Sequence, residues 1–143
     1  MVAQTVGWGD FAQAAPELAN HVEERLGDRQ ICFLATVRRD GWPRVHPVGL
    51  NFRGDRLVVV MDPGSPKGRD LAENGRFAVH GTVEDNQGGK GEVLVTGTAK
   101  VTDPTDNDVE RGWVAFELLV GEVLAIGNEP ETAGRAITRW RAS

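Results

Sequence analysis

The sequence runs to 143 residues, 40% of them hydrophobic, with 16 Lys and Arg against 21 Asp and Glu for a net charge of -5. That length suits one domain with one core, and the acidic balance excludes a general binder of nucleic-acid backbone, which needs accumulated cations. No apolar run reaches membrane-span length, no basic-then-apolar leader opens the chain, and the single cysteine, Cys32, has no partner for a disulfide or thiolate cluster, so no membrane association is expected and a cytoplasmic protein is.

The chain is expected to form one domain over 1–143, with an N-terminal arm and helix over 1–27 and a β-rich body over 28–143. In the arm, Trp8 reads as a structural plug. Asp10 to Leu26 places Phe11, Ala14, Leu18, Val22 and Leu26 on one helical face that stops before Gly27. Pro16 either begins this helix at its first turn or kinks one capped by Asp10. From Gln30 the pattern changes to short apolar and β-branched runs. Gln30–Arg39 and Trp42–Phe52 flank Asp40-Gly41, a pair suited to a two-residue hairpin turn, and Arg53-Gly54-Asp55 turns the chain into Arg56–Met61.

After this third strand, Ser65 suits an N-cap, Pro66 the first helical position and Gly75 the exit of a short helix. Phe77–Glu84 and Glu92–Val101 then read as a hairpin around the polar, Gly-rich stretch Asp85–Gly91, expected to be a mobile loop. Val114–Ile126 follows as a strand bent or broken near Gly121, and Ala136–Arg141 as a short terminal one. The predicted fold is mainly β, a six- to seven-stranded antiparallel Greek-key barrel with one main N-terminal helix and a short helix after the third strand. A barrel is preferred to a sandwich because closure leaves fewer exposed edges.

Several chemistries lack their motifs. There is no dinucleotide or Walker glycine loop and no His-Glu-x-x-His, and the only serines are Ser65 and Ser143. His21, His46 and His80 fall on three different predicted elements without ligand spacing, so no metal is expected. The strongest local signal is the helix start Ser65–Arg69. Unpaired N–H groups and the helix dipole favour an anion there, with Lys67 as a point charge and Ser65 as a hydrogen-bond donor. The alternative is a capped surface helix with solvated charges. By the two-residue strand period Arg44 and His46 project to one side, either lining the same cleft or facing water. Trp42, Trp113 and Trp140 could stack on a planar ligand or serve a core or interface; Trp140, between Arg139 and Arg141, suits docking on a second subunit.

Several of these segments together resemble the pyridoxamine 5′-phosphate oxidase-like, FMN-binding split-barrel superfamily and its deazaflavin-dependent relatives. They are Phe33-Leu34-Ala35-Thr36-Val37, Asp40-Gly41-Trp42-Pro43-Arg44-Val45-His46-Pro47-Val48, Gly54-Asp55-Arg56-Leu57 into Met61, and Ser65-Pro66-Lys67 through Asp70-Leu71 to Asn74-Gly75-Arg76. Gly91-Glu92, Gly97-Thr98-Ala99 with Asp103, and Trp140-Arg141 complete the order. The resemblance implies a homodimeric split β-barrel with two sites for FMN, or for the deazaflavin coenzyme F-420, between subunits. It implies that Arg44, Val45, His46, Pro47 and Val48 border the ring, that Met61, Ser65, Lys67 and Leu71 lie on the ribityl-phosphate side, and that Trp140 and Arg141 approach from the partner. In such sites the coenzyme performs hydride transfer and the protein positions it, so no acid, base or nucleophile is assigned.

Two departures refine the expectation. Pro104–Gly112 reads as shorter than the helical connection of many relatives, which implies a missing pocket wall. The sequence ends at Ser143 without the longer substrate-binding terminus of a true pyridoxamine 5′-phosphate oxidase, which favours an oxidoreductase acting on another small molecule. The competing expectation is a non-catalytic flavin- or haem-binding module for sensing or storage on the same dimeric barrel.

Overall fold

The computed structural model describes residues 4–27, 30–83, 91–129 and 134–143. The N-terminal segment forms two helices rather than one, α1 (Trp8–Ala14) and α2 (Pro16–Leu26). The break falls at Ala15, whose φ of -141° and ψ of 68° are not helical, because a residue before proline is driven out of the α region. Pro16 then opens α2 at its first turn, where its missing N–H has no partner to lose. Trp8 and Phe11 of α1 are buried, and their rings pack edge to face 5.1 Å apart. Trp8 also meets Phe52 at 4.8 Å and so does plug the fold, from within a helix.

The strands are β1 (Cys32–Val37), β2 (Pro43–Val48), β3 (Asn51–Arg53), β4 (Arg56–Met61), β5 (Arg76–Gly81), β6 (Glu92–Thr102), β7 (Val114–Glu129) and β8 (Gly134–Arg141). They pair antiparallel in the order β2-β1-β5-β6-β7-β4-β3, with β8 beside β7. The expected long second strand is thus divided, at Gly49-Leu50, into β2 and β3, which stand at opposite ends of this path. Only two residues join those ends, so the sheet must curl until its edges approach, and it forms a split barrel. The hairpin between β1 and β2 is as expected, but its turn is longer than two residues. Gly41 N–H donates to Arg38 O and Arg38 N–H to Trp42 O, both at 2.8 Å, with Gly41 at a φ of 87°. A glycine in the left-handed region closes a three-residue loop whose twist matches the strands.

Alternation along the strands sends Leu34, Val79, Val95, Leu57, Val59 and Val123 into the interior, where α1 and α2 cover them with Phe11, Val22 and Leu26. Strand β7 runs through Gly121 without ending. The register jumps there, from Thr96 opposite Glu122 to Gly97 opposite Val120, so the expected bend is a β-bulge.

Two helices complete the chain, α3 (Pro66–Glu73) and α4 (Asp106–Arg111). The first is the short helix read from Ser65, Pro66 and Gly75. The second adds to the expected helices: the short connection Pro104–Gly112 holds one of six residues, built by a capping box between Thr105 and Asp108 and closed by Gly112 at a φ of 71°. Buried Asp108 also receives both terminal nitrogens of Arg53, at 2.7 and 3.1 Å, and this ties α4 to β3. The expected mobile loop Asp85–Gly91 lies, apart from Gly91, outside the described residues.

Candidate functional site

The start of α3 is where the fold concentrates polar chemistry. Ser65 lies outside the helix in an extended conformation, and its Oγ accepts from Gly68 N–H at 3.2 Å. Gly68 lets this first turn settle on the end of β4: a Cβ there would meet Ser65 Oγ at 3.0 Å and Met61 Sδ at 3.1 Å. Lys67, half-buried beside it, makes no hydrogen bond or ion pair among the described residues. A helix N-terminus with an unpaired ammonium group in its first turn is ready for an anion. Met61 and Leu71, placed by the resemblance on the phosphate side, are core residues that support this turn from below.

One turn further along, Asp70 is buried and its Oδ2 accepts from two other elements, from Thr36 Oγ1 of β1 and Arg44 Nε of β2, each at 2.7 Å. Burial opposes ionisation of this carboxyl, but the hydrogen bonds from Arg44 and Thr36, with the charges of Arg44 and Arg38, outweigh it and hold Asp70 below the usual carboxylate range. Asp70 therefore stays charged at neutral pH and joins α3, β1 and β2 at one oxygen. Arg44 and Asp70 border a cleft of about 440 Å³ between the β1–β2 turn and α3, where Arg38 is paired with Asp40 and Arg39 with Glu73 and where Arg69 also stands.

Strand β2 divides the remaining candidates by face. Arg44 stands opposite Thr36 and His46 opposite Leu34, both half-buried on the inner side, whereas Val45 opposite Ala35 and Pro47 opposite Phe33 are exposed outside. Val48 ends the strand in the core. The outer side of β1 and β2 is apolar, with Val45 60% and Phe33 43% exposed and Ile31 and Trp42 open nearby.

Trp140 and Arg141 lie elsewhere. Strand β8 lies beside β7, five strand steps from β2 along the curled sheet. Trp140 packs edge to face on Phe11 of its own chain at 4.8 Å, and it walls an apolar cavity of about 620 Å³ with Pro16, Leu18, His21 and Ala125. Arg139 and Arg141 both turn to Glu122 on the opposite face. Trp113 is used locally, under the Arg111 guanidinium at 4.9 Å. Cys32 is buried, and burial pushes its thiol up to about 11.

The structure thus brings Arg44, Ser65 and Lys67 to one end of the barrel, while Trp140 and Arg141 stand on β8 and are engaged by Phe11 and Glu122 of their own chain. It adds Thr36 and Asp70, which the sequence reading did not single out. The one available signal was strand alternation, which puts Thr36 on the inner side with Arg44.

The Pyridoxamine 5′-phosphate oxidase family model matches residues 18–140. A search of curated protein sequences gave no match. Among solved structures, PhzG from Burkholderia lata 383, in complex with tetrahydrophenazine-1-carboxylic acid, superposes with a TM-score of 0.66 at 14% identity, over 94% of this chain and 87% of that one. An F420 reductase gives a TM-score of 0.55 at 19% identity, over 71% and 94% of the two chains. HutZ, a haem storage protein from Vibrio cholerae, gives 0.54 at 17% identity, over 74% and 89%. At such identities the likeness is one of fold.

Proposed function

Because the chain belongs to the pyridoxamine 5′-phosphate oxidase family, we propose that it is a homodimeric oxidoreductase that binds FMN or the deazaflavin coenzyme F-420 between its subunits and acts on a small molecule. The observation that carries this reading is the start of α3, where Lys67, without a partner among the described residues, stands in the first turn of a helix whose N-terminus favours an anion. The residues present fit a phosphate-bearing coenzyme. Lys67 and the first N–H groups of α3 would hold the phosphate, Arg44 would meet it from β2, and Val45 to Pro47 would border the ring. When bound, such a coenzyme supplies hydride transfer; the chain's own part is to orient it and to exclude water.

The apolar outer side of β1 and β2 supports the second subunit. An edge strand carrying an exposed Val45 beside Phe33 is a surface that association would cover. A partner also gives Trp140 and Arg141 a role at the site, since within their own chain they pack on Phe11 and Glu122. Titration of purified protein with each coenzyme, followed by absorbance and mass spectrometry, tests the reading. Micromolar binding with turnover supports it. Bound coenzyme that no donor or acceptor turns over favours a sensing or storage module instead, and no binding of either coenzyme overturns it.

A further inference from the structure

We infer that Asp70 is a positioning residue of this site: it holds Arg44 by the Nε edge so that the terminal nitrogens of the guanidinium face the coenzyme's phosphate. The inference rests on the proposed coenzyme site and adds a residue to it. Arg44 gives Nε to Asp70 Oδ2 at 2.7 Å and makes no other hydrogen bond among the described residues, so its terminal N–H groups remain available. The side chain of Arg44 is 28% exposed and that of Asp70 only 7%, so the pair turns its positive end toward the cleft. Thr36 Oγ1 donates to the same oxygen and fixes the carboxylate from β1. Asp70 follows Lys67 by three residues on α3, a spacing that makes them neighbours on the helix surface. One buried carboxylate therefore sets Arg44 on its strand relative to Lys67 on its helix.

Two physical effects compete, and they differ in sign. A carboxylate near an anion repels it, so removing the charge of Asp70 would strengthen phosphate binding if Coulomb repulsion dominated. An arginine without its anchor must be ordered as the ligand binds, so removing the anchor would weaken binding if positioning dominated. The geometry favours the second effect, because the charge of Asp70 is already met by Arg44 and only the orientation of the guanidinium remains to be lost.

The test compares each coenzyme with its form lacking the phosphate: FMN with riboflavin, and the deazaflavin coenzyme with its phosphate-free chromophore. Dissociation constants are measured for the wild type, D70N, R44A and the double variant. D70N is expected to weaken the phosphate-bearing form about tenfold, to leave the phosphate-free form within about twofold, and to add nothing in the R44A background. Equal or tighter binding by D70N, or equal weakening of both forms, overturns the inference. Thermal unfolding of each variant shows whether it is folded. Should D70N not fold, T36V carries the test, with an expected loss of about threefold confined to the phosphate-bearing form. Wild-type protein that binds neither coenzyme defeats the proposed function and this inference together, whereas a wild type that binds beside an indifferent D70N defeats the inference alone.

Discussion

Single side chains divide here into those that hold the fold and those free to hold something else. Lys67 is in the second group, since it has no partner among the described residues. Lys67→Ala is expected to weaken coenzyme binding by about 1 to 3 kcal/mol, the scale of one charge-assisted hydrogen bond, with an unchanged thermal midpoint; calorimetric titration beside a melting curve checks both. Asp108 is in the first group. Hydrogen bonds from Arg53, working against burial and helped by those of Thr105, bring its carboxyl down from 3.8 to about 2. A carboxyl depressed in the folded state adds stability that is complete above its unfolded value and disappears as pH falls through the folded one. The contribution is therefore present at neutral pH and lost between about pH 4 and pH 2. Asp108→Asn is expected to cost about 3 kcal/mol in urea unfolding at pH 7 and to flatten the decline of stability over that acid range.

Elements owe their ends and bends to a few positions whose reasons differ. Gly97 faces the bulge of β7, and a Cβ there would lie 1.8 Å from Leu119 O, closer than any backbone contact allows. Gly97→Ala must push β6 away from β7, and a loss of about 3 kcal/mol or more is expected in denaturant unfolding. Gly112 is required for a different reason. It holds a φ of 71° at the end of α4 with nothing within 4 Å of an added Cβ, so Gly112→Ala should cost only about 1 kcal/mol. Helix α4 is short enough to depend on its cap, and Thr105→Ala is expected to remove about 1 kcal/mol by the same measurement.

For the whole molecule the open question is association. Val45 is 60% exposed on an edge strand and touches no core, so Val45→Lys has little reason to unfold the single chain. On an apolar subunit interface the same lysine would bury an unpaired charge. Light scattering at micromolar concentration is expected to give a dimer for the wild type and a monomer with reduced coenzyme affinity for V45K. A wild type that is monomeric and still binds coenzyme refutes the shared site. Truncation after Thr138 tests the same idea from the other end, with one complication: Trp140 packs on Phe11 of its own chain, so stability must be followed beside affinity.

Local chemistry determined what was legible in the sequence. Strand alternation, the hairpin glycines Gly41 and Gly54, and the Ser65-Pro66 helix start depend on residues within a few positions of one another, so the β1–β2 and β3–β4 hairpins and the start of α3 could be read directly, whereas the division of β2 from β3 at Gly49-Leu50 could not. The motif order also carried the family. The break at Ala15 was open in the sequence because proline permits either a kink or a new helix, and packing of Trp8 and Phe11 under the barrel selected two helices. Helix α4 was missed although its capping box, Thr105 with Asp108, and its closing Gly112 are local signals; only its tie to Arg53, 55 residues before Asp108, needed the fold. Asp70 was missed for a physical reason: in the sequence it is one more charge on a short helix, and only folding brings Thr36, 34 residues away, and Arg44, 26 residues away, to its buried oxygen.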